Sequence, residues 1–474
     1  MDDFFLNWRV KYPPYPHQKQ EFLTYRDSPA RALLWQQRTG KTKACIDTAC
    51  YLIETGKIDA VFVLAPNLVH YNWNERELPA HCWEGIDFEK FLWISSKPFN
   101  GLKEAIKTDK PIWFSMNSEA LILDRALKQI KMLVKYRKAL LIVDESHNYR
   151  TPGSKRTRRI RGLKKHFPYK RILTGTSIEN SPLAAFSQFE ILEDEALGCK
   201  TYQEFKDIYA VMEPKNYGRG VSLEVTGYKN LDLLTEKLSK WSSVVGREGI
   251  PPFTHTYKDF ELTKKQREMY EKFKKDCYLD IQNEMISTES LAVKGLKLQQ
   301  IISGFIIDSN DGGKKVIDLV PDIENPRLLT LLDTIENTDG KIIIWCQFKE
   351  DIKKICSMLI RKRIKFVEYH GGVKKDLRNK AIDFFMNGDC KIFLGQPQAG
   401  GTGLTLSAAG TVIWYTHTYD AIVRAQASER ATKYGGESVS LIDICAINSI
   451  DQRFIESRFR KASIRDIVME EITS

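Results

Sequence analysis

One short stretch constrains the fold of this chain more than any other: the apolar run Ala32 to Trp35 leads through a polar turn into an amphipathic segment. A strand, a tight turn and a helix in this order place backbone N–H groups at the helix N-terminus, where they bind phosphate. Gly40-Lys41-Thr42 supplies the matching side chains, since glycine lets the backbone approach phosphates, lysine reaches them and the hydroxyl ligates Mg²⁺. The stretch predicts a nucleotide-binding loop, although Trp35 stands where the full GxxxxGK[ST] motif has its first glycine.

A second segment strengthens this prediction. The apolar run Leu140 to Val143 ends in two adjacent carboxylates, Asp144 and Glu145. One carboxylate can organise Mg²⁺ through water, and the other can orient or deprotonate the attacking water. Together the two segments predict an enzyme that hydrolyses a nucleoside triphosphate.

Composition limits the class of protein. A chain of 474 residues is too long for one core and suits two or three domains. It holds no apolar run of the length that spans a bilayer, and Met1 to Phe5 does not resemble a signal peptide. The nine cysteines form no C-x-x-C pair, so we expect an intracellular, cytoplasmic protein without a structural metal.

The charge balance bears on the partner. Lys and Arg number 72 against 61 Asp and Glu, which gives a net charge of +11. This excess favours a polyanionic partner, with a merely soluble basic protein as the alternative. The basic segment Lys155 to Lys165 fits a phosphate-tracking face and a solvated helix face about equally well, with a nuclear-targeting patch as a further alternative.

Apolar runs that alternate with helix-like segments predict an α/β fold with parallel sheets covered on both faces. The predicted strands are Asp59 to Ala65, Pro111 to Phe114, Ala139 to Val143, Arg171 to Leu173, Lys341 to Trp345, Ile364 to Tyr369, Lys391 to Gly395, Thr411 to Tyr415 and Ser438 to Cys445. We expect two such lobes, residues 1–190 and 326–474. Residues 191–325 are expected to be mostly helical insertions and linker, with Pro251-Pro252 as a hinge.

Six blocks in order carry a resemblance to the SNF2 branch of superfamily 2 helicases. They are Leu64 to Trp73 (similar to APxSLVxNW), Asp144 to His147 (DESH), Arg171 to Ser181 (LTGTPIxNS), Ile344 to Phe348 (FSQF), Gln398 to Leu406 (KAGGxGLNL) and Gln426 to Gly435 (QAxDRAHRxG). The resemblance implies two tandem RecA-like lobes with short helical insertions, ATP and Mg²⁺ between the lobes, and DNA across both.

The resemblance also implies site residues. The expected catalytic residues are Lys41, Asp144, Glu145, Gln426 and Arg430, of which Arg430 is an arginine finger on a helix of the second lobe. The residues expected to hold ATP are Gln18, Arg38, Thr39, Gly40, Lys41, Thr42, Lys43, Gly403 and Lys433, with Thr42 and Asp144 as Mg²⁺ ligands. Gln18 would read the adenine edge, and its alternative is a surface amide.

Residues at predicted strand ends and in the glycine-rich block are expected to contact the DNA backbone without reading sequence. They are Pro66, Asn67, Ser115, Thr174, Gln347, Gly400 and Gly401. Taken singly, each is also a common turn-former.

Three positions depart from the family pattern. Arg38 and Lys433 replace a glycine and an arginine, and Ser177 replaces a proline. Lys433 keeps the charge but loses the planar fork of arginine, so slower hydrolysis is expected.

The resemblance implies an ATP-dependent motor that tracks along duplex, forked or branched DNA as a monomer. Its compact size resembles SNF2-like helicases of bacteriophages and bacteria, which suggests fork remodelling or branch migration in replication, recombination or repair. The alternatives are a strand-separating helicase, with a wedge in residues 191–325, and a DNA-binding scaffold with an impaired ATPase.

Overall fold

The computed structural model describes residues 10–67, 69–95, 102–175, 182–216, 221–283, 288–308, 315–400, 404–456 and 464–473. The chain divides into two compact units, Met1–Glu248 and Gly249–Ser474. The boundary falls just before Pro251, near the predicted hinge.

The first unit is built on a parallel sheet with the strand order β3-β4-β2-β5-β6-β1-β9. The strands of this unit are β1 (Ala30–Trp35), β2 (Ala60–Ala65), β3 (Glu89–Leu92), β4 (Ile112–Asn117), β5 (Ala139–Val143), β6 (Tyr169–Leu173), β7 (Ala210–Asn216), β8 (Val221–Tyr228) and β9 (Ser242–Val245). The helices are α1 (Pro16–Tyr25), α2 (Lys41–Glu54), α3 (Val69–Asn72), α4 (Leu78–His81), α5 (Leu102–Ala105), α6 (Asp124–Tyr136), α7 (Lys155–Leu163), α8 (Ala184–Phe189), α9 (Tyr202–Tyr209) and α10 (Leu231–Trp241). A π-helical turn, Trp73–Glu77, joins α3 to α4.

The second unit is built on a parallel sheet with the order β10-β17-β16-β13-β15-β14. Its strands are β10 (Thr254–Phe260), β11 (Phe305–Asp308), β12 (Lys315–Asp318), β13 (Lys341–Trp345), β14 (Phe366–Tyr369), β15 (Ile392–Gly395), β16 (Ala409–Trp414) and β17 (Ser440–Ala446). Its helices are α11 (Lys264–Asn283), α12 (Thr288–Ile302), α13 (Pro326–Glu336), α14 (Lys349–Arg361), α15 (Lys375–Asn387), α16 (Pro397–Gly400), α17 (Ala421–Ser428), α18 (Ile450–Glu456) and α19 (Ile464–Thr473).

Both sheets are buried on both faces, as predicted. In β2, Phe62 and Leu64 belong to the core on one face, whereas Val61 and Val63 belong to the core on the other. In the second unit the residues of β13 alternate between two cores in the same way. Because side chains of a strand point alternately to opposite faces, both faces must be apolar, and this produced the apolar runs in the sequence. The two RecA-like lobes are confirmed.

The prediction for residues 191–325 is wrong in part, because this region also contains strands. β9 pairs in parallel with β1, and β10 pairs in parallel with β17, so each extends the sheet of its own unit. β7 and β8 form an antiparallel hairpin, as do β11 and β12. Edge strands and hairpins are covered on fewer sides than central strands, so they lack the apolar runs that mark a strand in sequence.

Candidate functional site

The predicted phosphate loop lies between β1 and α2 in the first unit. The backbone turns through left-handed conformations at Arg38, with a φ of 66°, and at Gly40, with a φ of 80°. A Cβ on Gly40 would lie 2.1 Å from Nε2 of Gln18, so this position requires glycine for its conformation and for its space. The left-handed turn at Arg38 also explains why glycine is usual there in the family that the sequence resembles.

Lys41 is the first residue of α2, and its ammonium lies over the loop. Its Nζ donates hydrogen bonds to the carbonyl oxygens of Trp35 at 2.8 Å and Gln36 at 3.1 Å. A Cβ on Gly175, two residues past β6, would lie 3.5 Å from the same Nζ. Thr42 is the second residue of α2. Its hydroxyl therefore lies in the first turn of the helix, at the end where backbone N–H groups can bind phosphate.

Helix α1 holds the loop from outside. Nε2 of His17 donates to the carbonyl of Thr39 at 2.7 Å, and Nε2 of Gln18 donates to the carbonyl of Gly40 at 2.8 Å. Oε1 of Gln18 accepts from the backbone N–H of Tyr15 at 2.7 Å. Gln18 is 2% exposed, so the alternative of a surface amide is wrong, and its reading of adenine stays a prediction.

Thr39 is buried, and its hydroxyl donates to the carbonyl of Gln36 at 2.7 Å. The side chain of Thr39 therefore stabilises the loop from inside, which limits its predicted role toward ATP to the backbone.

The carboxylates after β5 lie on the same unit. Asp144 is half-buried, with Oδ2 accepting from Nε1 of Trp73 at 2.8 Å and Oδ1 from the backbone N–H of Glu145 at 2.9 Å. Removal of the carboxylate from water and repulsion by Glu145 raise the pKa of Asp144 to about 6, while Trp73 and Lys41 favour its charged form. Because β5, β6 and β1 are neighbours in one parallel sheet, Asp144 and Lys41 follow strands that end at the same edge, which brings the two predicted motifs into one site.

Glu145 has a strained backbone. Its φ of 50° lies in the left-handed region, which a non-glycine residue adopts at a cost of about 1 kcal/mol or more. Oε2 of Glu145 lies 3.2 Å from Nδ1 of His147, and Nδ1 of His147 lies 3.5 Å from the hydroxyl of Thr174. The acidic block and the block after β6 are therefore linked through His147.

Two predicted residues lie elsewhere. The ammonium of Lys43 bonds both oxygens of Asp47, at 3.0 and 2.7 Å, within the buried side of α2. The prediction that the side chain of Lys43 holds ATP is therefore wrong. The predicted position of Ser115 at a strand end is also wrong, because β4 continues to Asn117 in register with β2. Ser115 is fully buried and accepts a hydrogen bond from Nε1 of Trp113 at 3.1 Å, so it does not face DNA.

The other residues predicted to contact DNA are divided between the units. Pro66 and Asn67 follow β2, and Thr174 follows β6 but is 1% exposed. Gln347 follows β13, and its N–H donates to the hydroxyl of Thr416 at 2.7 Å. Gly400 ends α16. Gly401 and Gly403 lie outside the described residues.

The predicted arginine finger lies in the second unit, but not on a helix. α17 ends at Ser428, and Arg430 lies in the turn that follows, where its carbonyl accepts from the backbone N–H of Leu406 at 2.9 Å. The guanidinium of Arg430 is 8% exposed and donates to the carbonyl of Leu404 at 3.3 Å. Gln426 lies on α17 and is half-buried, whereas Lys433 is exposed.

The basic segment predicted at Lys155 to Lys165 is largely tied down. Arg156 donates to the carbonyl of Asn148 at 3.2 Å, Arg159 to that of Leu121 at 2.8 Å, and Arg161 to Glu190 at 2.7 Å. The exposed cations of this segment are Lys155, Arg158 and Lys165. Most of the segment thus serves to hold α7 in place.

Sequence reasoning missed the roles of Trp73 and His17. Trp73 is 1% exposed and packs in a hydrophobic core, and its N–H also holds Asp144. It lies in the π-helical turn, a feature often found at functional sites. The signal available in sequence was the position of Trp73 at the end of a family-like block.

No cluster of three or more metal-ligating side chains occurs among the described residues. None of the helices in that part of the chain is long and apolar enough to cross a membrane.

Two family models match the chain. A model for the SNF2-related domain matches residues 36–304, and a model for the helicase conserved C-terminal domain matches residues 325–435. The first covers more than half of the chain.

Curated relatives have low identity over long alignments. Chromatin remodeling factor mit1 of Schizosaccharomyces pombe is 22% identical over 91% of this chain and 31% of its own length. ISWI chromatin-remodeling complex ATPase CHR17 of Arabidopsis thaliana is 22% identical over 91% of this chain and 40% of its length. The uncharacterized ATP-dependent helicase MG018 of Mycoplasma genitalium is 24% identical over 76% of this chain and 33% of its length. The chain thus spans 31 to 40% of the length of these relatives.

Among solved structures, the Sulfolobus solfataricus SWI2/SNF2 ATPase core in complex with dsDNA is 20% identical. The superposition covers 98% of the present chain and 96% of the Sulfolobus chain, with a TM-score of 0.42.

Proposed function

We propose that this chain, which belongs to the SNF2 family and is an ATP-hydrolysing enzyme, is a motor that moves along double-stranded DNA. One observation carries the catalytic part of the proposal: Lys41 and Asp144 follow β1 and β5 of one parallel sheet, and two N–H donors hold Asp144. The net charge of +11 supports a polyanionic track. The curated relatives include chromatin-remodelling ATPases and an ATP-dependent helicase, so a role on DNA fits their names.

The residues present fit ATP and Mg²⁺. The half-buried Asp144 carboxylate and the Thr42 hydroxyl are oxygen ligands of the kind that Mg²⁺ prefers. Lys41 and the N-terminus of α2 would hold the phosphates, and bound Mg²⁺ would neutralise part of their charge. Glu145, held 3.2 Å from His147, would orient the attacking water and take its proton.

Arg430 of the second unit supplies the remaining charge in this proposal. An arginine that reaches the transferred phosphoryl group is worth about 10³ to 10⁵ in rate. Arg430→Lys keeps the charge but not the planar fork, so we expect a lower kcat with little change in KM for ATP.

The finer part of the proposal concerns the DNA. We place the motor on duplex, forked or branched DNA, in fork remodelling or branch migration during replication, recombination or repair. A strand-separating helicase is the second candidate. It is favoured by the β7–β8 hairpin, where Pro214 pairs with Leu223 and the Leu223 side chain is 64% exposed. Such an apolar ribbon face could act as a wedge against a base pair.

The test is steady-state ATP hydrolysis without nucleic acid and with single-stranded DNA, blunt duplex, a fork, a four-way junction or double-stranded RNA. Glu145→Gln serves as the blank, since it keeps the side-chain size and removes the base. Stimulation by duplex or branched DNA that is lost in this variant supports the motor. Equal rates with and without every nucleic acid would refute it and favour the DNA-binding scaffold.

Strand displacement on forked and blunt duplexes, measured with the same preparation, separates the two candidates. Release of single strands that is lost on Leu223→Ser, with ATP hydrolysis unchanged, would favour the strand-separating helicase. Movement along duplex without strand release favours the translocase.

A further inference from the structure

A buried charged cluster holds α17, the helix that carries Gln426 and leads into the Arg430 turn. Its centre is Arg424, which is 4% exposed. The Arg424 guanidinium forms an ion pair with the buried Asp443 of β17, and its Nη1 lies 3.2 Å from Nδ1 of His417. Arg424 thus ties the helix to β17 and to the loop that follows β16.

The bonds of this cluster fix the state of His417. Arg424 only donates hydrogen bonds, so Nδ1 of His417 accepts and carries no proton. Nε2 of His417 therefore bears the proton and donates to the carbonyl of Ile444 at 2.9 Å. Burial lowers the pKa of His417, which agrees with a neutral ring. The carbonyl of His417 also accepts from Nε2 of Gln299 at 2.9 Å, so the loop is held on both sides.

Two further contacts hold the helix. The guanidinium carbon of Arg424 lies 4.5 Å from the ring centroid of Trp414, and Nε1 of Trp414 donates to the hydroxyl of Ser428 at 3.0 Å. Ser428 is the last residue of α17, and Asp420 caps the first turn by accepting from Ile422 N–H at 2.9 Å. The helix is thereby held at its start, middle and end.

The placement of Arg424 controls where Gln426 points. Consecutive helical residues are about 100° apart around the axis, so residues two positions apart are about 200° apart. Gln426 therefore lies on the side of the helix opposite Arg424. Arg424 is buried and Gln426 is half-buried, as this spacing requires. If α17 rotated so that Arg424 left the cluster, the Gln426 side chain would leave its present direction. The turn that contains Arg430 would shift with it.

Stability is not the main contribution of such a pair. A buried ion pair gains little over apolar residues of similar volume, because removing both charges from water offsets their attraction. It does impose one geometry, since the fork of arginine must meet the carboxylate and the imidazole at once. The cluster therefore specifies the orientation of α17.

We propose that Arg424 is a positioning residue for ATP hydrolysis, which fixes the rotation and depth of α17 through Asp443 and His417 and so places Gln426 and Arg430. The inference rests on the proposed function, in which those two residues serve ATP.

The test removes both charges together. In Arg424→Met with Asp443→Leu, apolar residues replace the pair, so the free energy of unfolding is expected to fall only by the cost of leaving Nδ1 of His417 without its donor. We expect kcat for ATP hydrolysis to fall about 10- to 100-fold, the scale of an ångström-sized misplacement, while KM for ATP stays within about twofold. Hydrogen exchange of the amides of 421–428 should rise.

The matched control is a second fully buried pair of the same unit. Arg327 of α13 pairs with Asp451 of α18, so neither member of this pair lies on α17. Arg327→Met with Asp451→Leu repeats the chemistry of the test, so kcat and the exchange of 421–428 should stay at the wild-type level. An equal loss of kcat in this control would overturn the proposal, because general loosening would then explain both results.

The single variant Arg424→Lys keeps the charge and the fold while losing the fork, so a partial loss of kcat is expected from it. A wild-type kcat in Arg424→Lys and in the double variant overturns the proposal, and if the double variant does not fold the lysine variant decides alone. Both variants are also assayed for basal hydrolysis. A wild-type chain that DNA does not stimulate would refute the motor, whereas the basal rates would still test Arg424.

Discussion

Replacing Trp73 by phenylalanine should move the pH dependence of ATP hydrolysis. The indole N–H of Trp73 donates to Oδ2 of Asp144 at 2.8 Å, and this bond favours the carboxylate over the carboxylic acid. Phenylalanine keeps an aromatic ring in the core and removes the donor, and the space left by the smaller ring is reproduced in the control variant described below. The pKa of Asp144, raised to about 6 in the wild-type chain, should therefore rise further.

The size of the shift follows from the bond. A hydrogen bond to a charged group contributes about 1.5 to 3 kcal/mol, and one pKa unit corresponds to about 1.4 kcal/mol. Loss of the Trp73 bond should thus raise the pKa of Asp144 by about 1 to 2 units. Because the active form is the carboxylate, activity is lost as the pH falls through this pKa. The acid limb of the pH–activity profile should therefore lie at higher pH in Trp73→Phe than in the wild type. In alkaline solution the activities of the two enzymes should become equal.

The assay is the pH profile of kcat/KM for ATP, which reports ionisations of the free enzyme. Trp113→Phe is the matched control, since Nε1 of Trp113 donates to the neutral hydroxyl of Ser115 at 3.1 Å and its ring stacks on Trp73 at 6.3 Å. Its acid limb should coincide with that of the wild type. An unshifted limb in Trp73→Phe, or equal shifts in both variants, would refute the reasoning.

Three further predictions concern stability and binding. Gly40→Ala should weaken binding of a fluorescent ATP analogue at least tenfold, because the new Cβ meets a neighbouring amide at 2.1 Å; Gly56→Ala, with a φ of 67° and open space, should bind normally. Lys43→Met should lower the free energy of unfolding in urea by about 3 to 5 kcal/mol, because it leaves the buried Asp47 carboxylate without its partner. KM for ATP should stay unchanged, and a raised KM would contradict the assignment of the Lys43 side chain to the ion pair with Asp47. Burial raises the pKa of Asp351 to about 7, well above its unfolded value, so its stabilising protonation is complete in acid and lost as the pH rises toward 7. Asp351→Asn should therefore unfold at higher urea than the wild type at pH 7.5 and lose this advantage near pH 4, and a constant difference would refute the assignment.

The sequence predicted the central strands and the phosphate loop because burial on both faces leaves little freedom. Strand β5 was predicted with its bounds, Ala139–Val143, and β13 likewise. A run of apolar residues bounded by polar ones has few other structures available in a soluble chain. Lys41 and Asp144 belong to one site because parallel strands bring their carboxyl ends to one edge of the sheet.

Other features depend on contacts that no local pattern reveals. The strand at Pro111 to Phe114 was predicted too short, because the end of β4 is set by its pairing with β2 through Asn117. Lys43 was assigned to ATP from its place in the motif, yet its partner Asp47 lies one helical turn later, where an i,i+4 ion pair forms. Arg430 was placed on a helix, but its carbonyl pairs with the backbone N–H of Leu406, which lies 24 residues earlier in the chain, and not within the helix.

The phosphate loop shows how such contacts reach function. The left-handed backbone of Arg38 costs about 1 kcal/mol of conformational free energy. Gly40, which is also left-handed, loses more conformational entropy on folding than any other residue type would. Hydrogen bonds from His17 and Gln18 to the loop carbonyls return about 1 kcal/mol each. The cost of the left-handed residues and the gain from these hydrogen bonds are of similar size. The loop therefore keeps its shape only while α1 is docked on it. Helix α1 is therefore part of the nucleotide site through its bonds to the loop as well as through any contact with the base.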